Sequence, residues 1–352
     1  LKAQVERGLE ISSSSRNREK MQNQTVLHSS KSKDGSLFKR VFKHGDRIWN
    51  VLVLSMALLV LALIVLVAFL LWSQSLQAQK QYGVSFFLPS SNASWDPVND
   101  IYQAWPFIYG TLITSLVATI IAIPTGLGIA IFLSELAPSW LQLPLGLLVE
   151  LLAAIPSVVY GLWGIYVFLP KVVAPFGNIL QKLLGFLPLF SGQIPVSGAS
   201  RLAAGLILAI MIIPTISAIT RDVLRAIPQS QREASLALGA TQWETISKVL
   251  IPYGLSGILG AVIIGLGRAI GETMAVTMVI GNSIEGSSSL LRPGYTMASL
   301  LANQFSEVNS PMQYEALLEV GLILFLITLI LNVFARLLVW WVGRRNPQEA
   351  WT

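Results

Sequence analysis

Hydrophobic positions in this chain fall in long unbroken blocks, not in the short alternating or one-sided patterns of a soluble domain. Six blocks, at residues 48–72, 107–133, 145–169, 202–220, 250–281 and 317–342, are long enough to span a bilayer. Crossing about 30 Å of hydrocarbon takes roughly 20 residues at ~1.5 Å each. Backbone polar groups inside lipid must bond within their own segment, so each block is predicted to be a helix. The pattern gives an all-α integral membrane protein with six transmembrane helices. The first block is mostly Val, Leu, Ala and Ile, without Gly or Pro. It reads as a lipid-facing anchor helix over 47–73. The other five carry the small and polar residues, so the working transmembrane domain is placed at 102–345. The outer stretches 170–201 and 282–316 contain apolar segments at 179–190 and 300–305 that are too short to span. These are expected to lie along the interface or to re-enter.

Composition agrees with that reading: 53% of residues are hydrophobic and 12% charged, against about 25% charged in soluble domains. The net charge of +6 comes from basic residues at span ends and in the N-terminal tail. It therefore speaks for orientation by the positive-inside rule and not for nucleic acid. Eleven Lys or Arg precede the first block, and 73–106 holds only Lys80. Both termini and the loops 134–144, 221–249 and 343–352 are then cytoplasmic, and 170–201 and 282–316 face outward. Arg268 and Arg336 lie within spans, while Arg201 is counted with the outer loops. Residues 1–46 are polar, rich in Ser, Lys and Arg, and expected to be a disordered cytoplasmic tail without the apolar core of a signal peptide. Met21 is a candidate initiator, which would make 1–20 a gene-calling artefact; the intact mass of the native protein decides it. The sequence has no cysteine, and its two histidines, His28 and His44, sit in the tail. Thiol chemistry and disulfides are excluded, and no metal site or cofactor is expected.

The cytoplasmic stretch 221–249 carries four basic residues with Asp222, Glu233 and Glu244, so it stays out of lipid. Pro228 suits the first turn of a helix, and 233–238 are good helix formers apart from Ser235. Gly239 tolerates the positive φ of a tight turn. Thr241 with Glu244 three residues on spells a capping box. A helix–turn–helix is predicted, with Ala234, Leu236, Ala237 and Leu238 as its apolar contact surface. Such a hairpin can enter a partner's groove and pass on rigid-body motion; the alternative is a loop lying on the membrane.

Two units carry polar chemistry at membrane depth. In Gly-Leu-Gly-Arg-Ala-Ile-Gly-Glu-Thr (265–273), Arg268 and Glu272 are four apart, on one helical face and within pairing reach. A central arginine costs at least about 2.5–3.5 kcal/mol on insertion scales. The pair is either a structural lock between helices or a substrate contact, and Arg is suited to planar oxyanions. Gly254, Gly257, Gly260, Gly265, Gly267 and Gly271 crowd the same helix and point to close packing. In Glu-Leu-Leu-Ala-Ala-Ile-Pro-Ser-Val-Val-Tyr-Gly (150–161), Pro156 breaks or bends the third span, and Ser157 and Tyr160 bring hydroxyls to the freed backbone. That is a pathway wall or a kinked packing helix. Glu150, Glu319 and Arg336 fall near span ends, where they are expected to be interfacial or to snorkel. No Gly-x4-Gly-Lys-Ser/Thr occurs, so the chain has no Walker A ATP site. No paired carboxylates, zinc motif or Ser–His arrangement suggests an enzyme.

The spelling of 232–252, Glu-Ala-Ser, three residues, Gly239, nine residues and Val-Leu-Ile-Pro, resembles the ATPase-docking loop of ABC importer permeases, with Ser235 where a second Ala is usual. Glu-Leu-Leu-Ala-Ala-Ile-Pro-Ser-Val-Val-Tyr-Gly-Leu-Trp-Gly and Gly-Arg-Ala-Ile-Gly-Glu-Thr-Met-Ala-Val resemble the phosphate-specific permeases, the C-type subunit more than the A-type. The resemblance covers about residues 50–345. It implies a type I (MetI-like) ABC importer permease core of five helices behind the anchor helix. It implies a phosphate pathway at Arg268, Glu272, Thr273, Ser157 and Tyr160, and ATPase coupling at Glu233, Ala234, Ser235, Gly239, Thr241 and Pro252. The partners implied are a second, A-type permease, two cytoplasmic ATPase subunits, an external phosphate-binding protein and membrane lipid, with no nucleic acid. The place implied is the bacterial plasma (inner) membrane. A permease for another oxyanion or small solute, or a secondary transporter working without ATPases, is the alternative.

Overall fold

The computed structural model describes residues 49–89 and 95–345. The tail expected over 1–46 and the candidate initiator Met21 lie outside the described residues. The chain divides into two units, Leu1–Val67 and Ala68–Thr352. In the first, helix α1 (Trp49–Gln74), which runs on into the second, exposes Leu58, Leu61 and Val65, as an anchor in lipid requires.

The second unit is built from α2 (Leu76–Tyr82), α3 (Trp105–Leu136), α4 (Ser139–Ala154), α5 (Ser157–Leu184) and α6 (Arg201–Ala226). There follow α7 (Gln229–Ala237), α8 (Gln242–Tyr253), α9 (Leu255–Gly271), α10 (Met274–Val279), α11 (Met297–Gln304) and α12 (Pro311–Arg345). Among the described residues α1, α3, α5, α6 and α12 are long and apolar enough to cross a membrane, and α8 with α9 makes a sixth span when the bent pair is counted as one.

Two spans differ from the blocks read in the sequence. The third was expected at 145–169, but Ile155 and Pro156 are extended, with ψ of 130° and 139°. A residue before proline is pushed out of the helical region, so α4 ends there and the spanning helix is α5. It takes up 170–184 of the stretch 170–201 that was expected to be an outer loop. The fifth, expected to be continuous over 250–281, bends by 71° between α8 and α9 and stops at Gly271, where Glu272 turns extended with ψ 123°. The outer segment at 300–305 belongs largely to α11, whose Met297, Ala298, Ser299 and Leu300 are buried within the bundle.

The core centres on α6, which packs against α3, α4, α9 and α10. Its start is fixed by Ser200, whose hydroxyl accepts from Ala203 N–H, and its end by extended Ile227 before Pro228. Ile216 of α6 is where three helices converge: a Cβ on Gly126 of α3 or Gly265 of α9 would lie 3.0 or 2.8 Å from it. Only glycine permits that approach. Gly260, Gly267 and Gly271 of α9 have nothing within 4 Å of an added Cβ, so packing accounts for only part of the glycine content there. At the outer end Trp95 stands edge-on to Tyr102 and Phe107, at 4.8 and 5.3 Å between ring centroids, beneath Leu317 and Val320 of α12. Such edge-to-face pairs add to area burial.

Candidate functional site

The break between α4 and α5 is where polar chemistry collects at membrane depth. Once Ile155 and Pro156 leave the helix, the last carbonyls of α4 lose their helical donors, and Leu152 O takes the Ile155 N–H at 3.3 Å instead. Tyr160, buried on α5, donates its hydroxyl to Leu152 O at 2.8 Å. Arg268 of α9 reaches the same place: its Nη1 donates to Thr215 Oγ1 of α6 at 3.2 Å and to Ala153 O at 3.5 Å. Four helices, α4, α5, α6 and α9, are thus tied at one point, and Ser157 opens α5 beside it, half-buried. Both partners of Arg268 are neutral.

Glu272 is not one of them. The expected face-to-face pairing with Arg268 fails because the helix ends between the two. Glu272 Oε1 instead accepts from Ala275 N–H at 3.2 Å, which places a carboxylate at the start of α10. Thr273 turns its hydroxyl to Gly271 O at 3.3 Å, inside the same break. The structure therefore brings Arg268, Tyr160 and Ser157 together and keeps Glu272 and Thr273 for the α9–α10 junction.

Arg201, counted from sequence with the outer loops, is 1% exposed. Its Nη1 donates to Ser289 O at 3.1 Å, its backbone N–H to Arg292 O, and the next N–H to Leu290 O. Carbonyls of the outer loop thus satisfy the first turn of α6, and Tyr109 fixes the same loop through Ser288 O at 2.6 Å. Nε of Arg201 has no partner among the described residues. Glu319 also departs from expectation. It was read as a snorkelling residue near a span end, but α12 begins at Pro311, which sets Glu319 about 12 Å inside the helix. It is 1% exposed, with Oε2 unpartnered among the described residues.

The polar segment forms the predicted hairpin. α7 runs to Ala237, Gly239 turns with φ +85°, and α8 begins at Gln242. Thr241 Oγ1 accepts from Glu244 N–H at 3.2 Å, while Glu244 Oε2 accepts from Thr241 N–H at 3.0 Å. This reciprocal cap satisfies two helix-end donors at once. Ser235 and Thr245 bring their hydroxyls to 2.9 Å and so tie the two arms together. Leu236, Leu238 and Trp243 are 51%, 90% and 65% exposed, which gives the hairpin an apolar tip. Glu233, Ala234 and Gly239 share that outward side, and Pro252 lies at the end of α8 before the bend.

Sequence reasoning missed Thr215, Arg201 and the carbonyls of Leu152 and Ala153. For Thr215 a signal existed, since Pro214 marks a perturbed turn in the middle of a span. For Arg201 there was none, because loop carbonyls from residues 289–292 are not written in a sequence.

A multi-span helical bundle with an arginine at a broken helix and a braced apolar hairpin on its basic face is the architecture of a membrane transport subunit. A model of the family described as binding-protein-dependent transport system inner membrane component matches residues 122–346, and the chain belongs to that family. It is 44% identical over 296 residues to the "Phosphate transport system permease protein PstC" of Xylella fastidiosa (strain Temecula1 / ATCC 700964), covering 83% of this chain and 89% of that one. The protein of the same name from Haemophilus influenzae is 44% identical over 80% of this chain and 89% of its own. The "Probable phosphate transport system permease protein PstC" of Methanocaldococcus jannaschii is 36% identical over 84% and 93%. Among solved structures, a bacterial ABC transporter involved in the import of the acidic polysaccharide alginate superposes with a TM-score of 0.57, at 16% identity, over 87% of this chain and 99% of that one. An inward-facing MetNI methionine ABC transporter superposes with a TM-score of 0.50, at 18% identity, over 67% and 94%. The fold is accordingly the MetI-like one of ABC importer membrane subunits, a five-helix core preceded in the chain by an N-terminal anchor helix.

Proposed function

We propose that the chain is the transmembrane permease subunit, of the C type, of an ATP-driven phosphate importer, and that it passes inorganic phosphate across the bacterial plasma membrane. The observation that carries this reading is Arg268. Among the described residues it has only a threonine hydroxyl and a carbonyl for partners at the broken helix, so its charge is left for an anion. A guanidinium fork matches the planar oxygen pairs of a phosphate. High identity to relatives named for phosphate transport supports phosphate over other oxyanions. Tyr160 and Ser157 line the same junction, and Glu272 and Thr273 form the adjoining break, which gives α9 and α10 a hinge.

The exposed tip of the hairpin, around Glu233, Ala234, Gly239 and Leu238, is the docking element for two cytoplasmic ATPase subunits. Ser235 and Thr241 hold its shape, and Pro252 closes α8. An A-type permease completes the membrane pair, and an external phosphate-binding protein delivers cargo from the outer face. Both termini are cytoplasmic. The chain hydrolyses no ATP itself. Closure of the ATPase pair moves the hairpins, and the bundle switches the side to which Arg268 opens.

The test is Arg268→Ala in the complete complex. Assembly with the partner subunits is expected to persist and phosphate uptake to be lost. Uptake at the wild-type rate refutes the role of Arg268, and uptake inhibited more strongly by another oxyanion than by phosphate refutes the cargo.

A further inference from the structure

Arg232 immediately precedes the hairpin's outward-facing residues, yet its own side chain points back into the protein. Nε and Nη2 donate to the two carboxylate oxygens of Glu135 at 3.1 and 2.8 Å. Nη1 donates to Ile227 O at 2.6 Å, and Nη2 also donates to Leu224 O at 2.7 Å. The two side chains are 14% and 10% exposed. From the other arm of the hairpin, Gln242 Nε2 donates to the backbone carbonyl of the same Glu135 at 3.1 Å. Glu135 lies in the π-helical turn that ends α3, and Leu224 and Ile227 mark the inner end of α6. Both arms of the hairpin are thus fastened to one residue of α3, and one arm is also fastened to the end of α6.

We infer that the Glu135–Arg232 fork is the joint through which the hairpin moves the helices that line the pathway. The inference rests on the reading of the hairpin as the ATPase-docking element. Three features separate this pair from an ordinary surface ion pair, which is flexible and contributes little. It is bidentate, so it fixes orientation as well as distance. It is shielded from water, which strengthens it and slows its exchange with solvent. The same guanidinium also takes the carbonyls that close α6, so α3, α6 and the hairpin cannot move independently while it is intact. α6 carries Thr215, the hydroxyl that holds Arg268. The mechanical line from the hairpin to the cargo arginine is therefore Arg232, the end of α6, Thr215 and Arg268, with α3 locked alongside by Glu135. The ion pair of Arg221 with Glu150 at 2.8 Å ties α6 to α4 and does not touch the hairpin, and that of Lys248 with Glu244 at 2.9 Å lies within one arm of it. Without the fork, the hairpin would keep only the chain link at Ile227 and Pro228 and the non-directional apolar contacts of Ile246 and Leu250 with Leu224 and Ile227, and Arg232 would no longer hold α3. Glu135 and Arg232 are positioning residues: they touch neither cargo nor ATP.

The experiment measures phosphate moved per ATP hydrolysed in vesicles holding the whole complex, for wild type, Glu135→Gln, Arg232→Lys and the double Glu135→Gln/Arg232→Gln. The ATPase subunits are expected to co-purify with every variant, and ATP hydrolysis to continue. The ratio is expected to fall at least tenfold in Glu135→Gln and by less in Arg232→Lys, which keeps the charge and loses the fork. The double variant is expected to be no worse than Glu135→Gln, as for one shared interaction. A wild-type ratio in Glu135→Gln overturns the joint. So does a loss of uptake and hydrolysis in strict proportion to lost assembly in both single variants, because that is what a merely structural pair would give. If the ATPase does not co-purify with the wild-type chain, the docking reading fails first and the joint falls with it.

Discussion

Gly239→Val tests whether the hairpin acts by its shape. At Gly239 φ is +85°, and a Cβ built there meets nothing within 4 Å. Sterics with neighbours therefore contribute nothing, and the whole effect lies in the backbone. Holding an L residue in the left-handed region costs roughly 1–2 kcal/mol, with a β-branched residue at the upper end because its χ1 is restricted as well. Against this stand the bonds of the turn itself. Leu238 N–H donates to Ala234 O at 3.2 Å, Gly239 N–H to Leu236 O at 3.0 Å and Ala240 N–H to Ser235 O at 3.2 Å, each worth about 1 kcal/mol net. The strain is of the same order as what holds the turn, and it corresponds to a roughly 5- to 30-fold shift toward an opened hairpin. Alanine carries the lower cost, and asparagine, which tolerates positive φ, carries less still. In the reconstituted complex, phosphate-stimulated ATP hydrolysis and uptake are expected to rank Gly and Asn above Ala and Ala above Val. Amide exchange over 235–245 is expected to rise in the reverse order. Wild-type stimulation in Gly239→Val, with exchange over 235–245 visibly increased, would show that coupling does not depend on the turn and would refute the reasoning.

Thr215→Val keeps the volume of the side chain and removes the hydroxyl that accepts from Arg268 at 3.2 Å. Leaving a charged donor short of an acceptor costs about 1–3 kcal/mol, so assembly should be unaffected while the KM for phosphate changes about fivefold or more; an unchanged KM and maximal rate would remove Thr215 from the site. Gly294→Ala puts a Cβ 2.5 Å from Nε, Cζ and Nη2 of Arg201, which must leave Ser289 O. Overpacking of this kind costs roughly 1–3 kcal/mol, and the readout is a lower melting temperature with faster proteolysis of the loop 282–296. Wild-type values of both would mean that Arg201 does not hold that loop.

What the sequence made legible and what it hid divide along a physical line. The hairpin was readable because every determinant is local: Gly239 for positive φ, Thr241 and Glu244 for the cap, a hydrophilic stretch between apolar blocks. The break at Pro156 was readable for the same reason, but its consequence was not. Hydropathy sees 145–169 as one apolar run, while the proline ends α4 and hands the span to α5, a decision made by backbone sterics. The Arg268–Glu272 pairing failed because an i,i+4 argument presumes a helix that continues, and Gly271 ends it. Glu135 was invisible: it is 97 residues from Arg232, and nothing near it spells a partner. Glu319 was misplaced and the burial of Arg201 was hidden because a charged letter at a span end says nothing about whether neighbouring chain folds over it.

The arginines that are buried or half-buried among the described residues of the second unit, Arg201, Arg221, Arg232 and Arg268, then sort by what compensates them. Arg221 and Arg232 have carboxylates at 2.8 Å. A charge so matched is electrostatically spent, and removing one partner strands the other at a cost of several kcal/mol when the pair is shielded. That is the behaviour of a joint, which must stay closed while the helices move. Arg268 has neutral acceptors alone among the described residues. A matched charge at that depth would hold an anion poorly, because the cargo would have to displace a tethered carboxylate; an unmatched one attracts cargo and releases it. Arg201 is unmatched too, yet it lies under the carbonyls of 289–292 with Gly294 against its guanidinium, so no anion reaches it and its work is to hold the outer loop. Neutralising a matched arginine should therefore lower coupling or stability at unchanged affinity for phosphate, and neutralising Arg268 should lower affinity for phosphate, and uptake with it, at unchanged stability and assembly. One set of variants, read by affinity on one axis and by transport per ATP on the other, separates the two classes. A matched arginine found on the affinity axis would break the distinction.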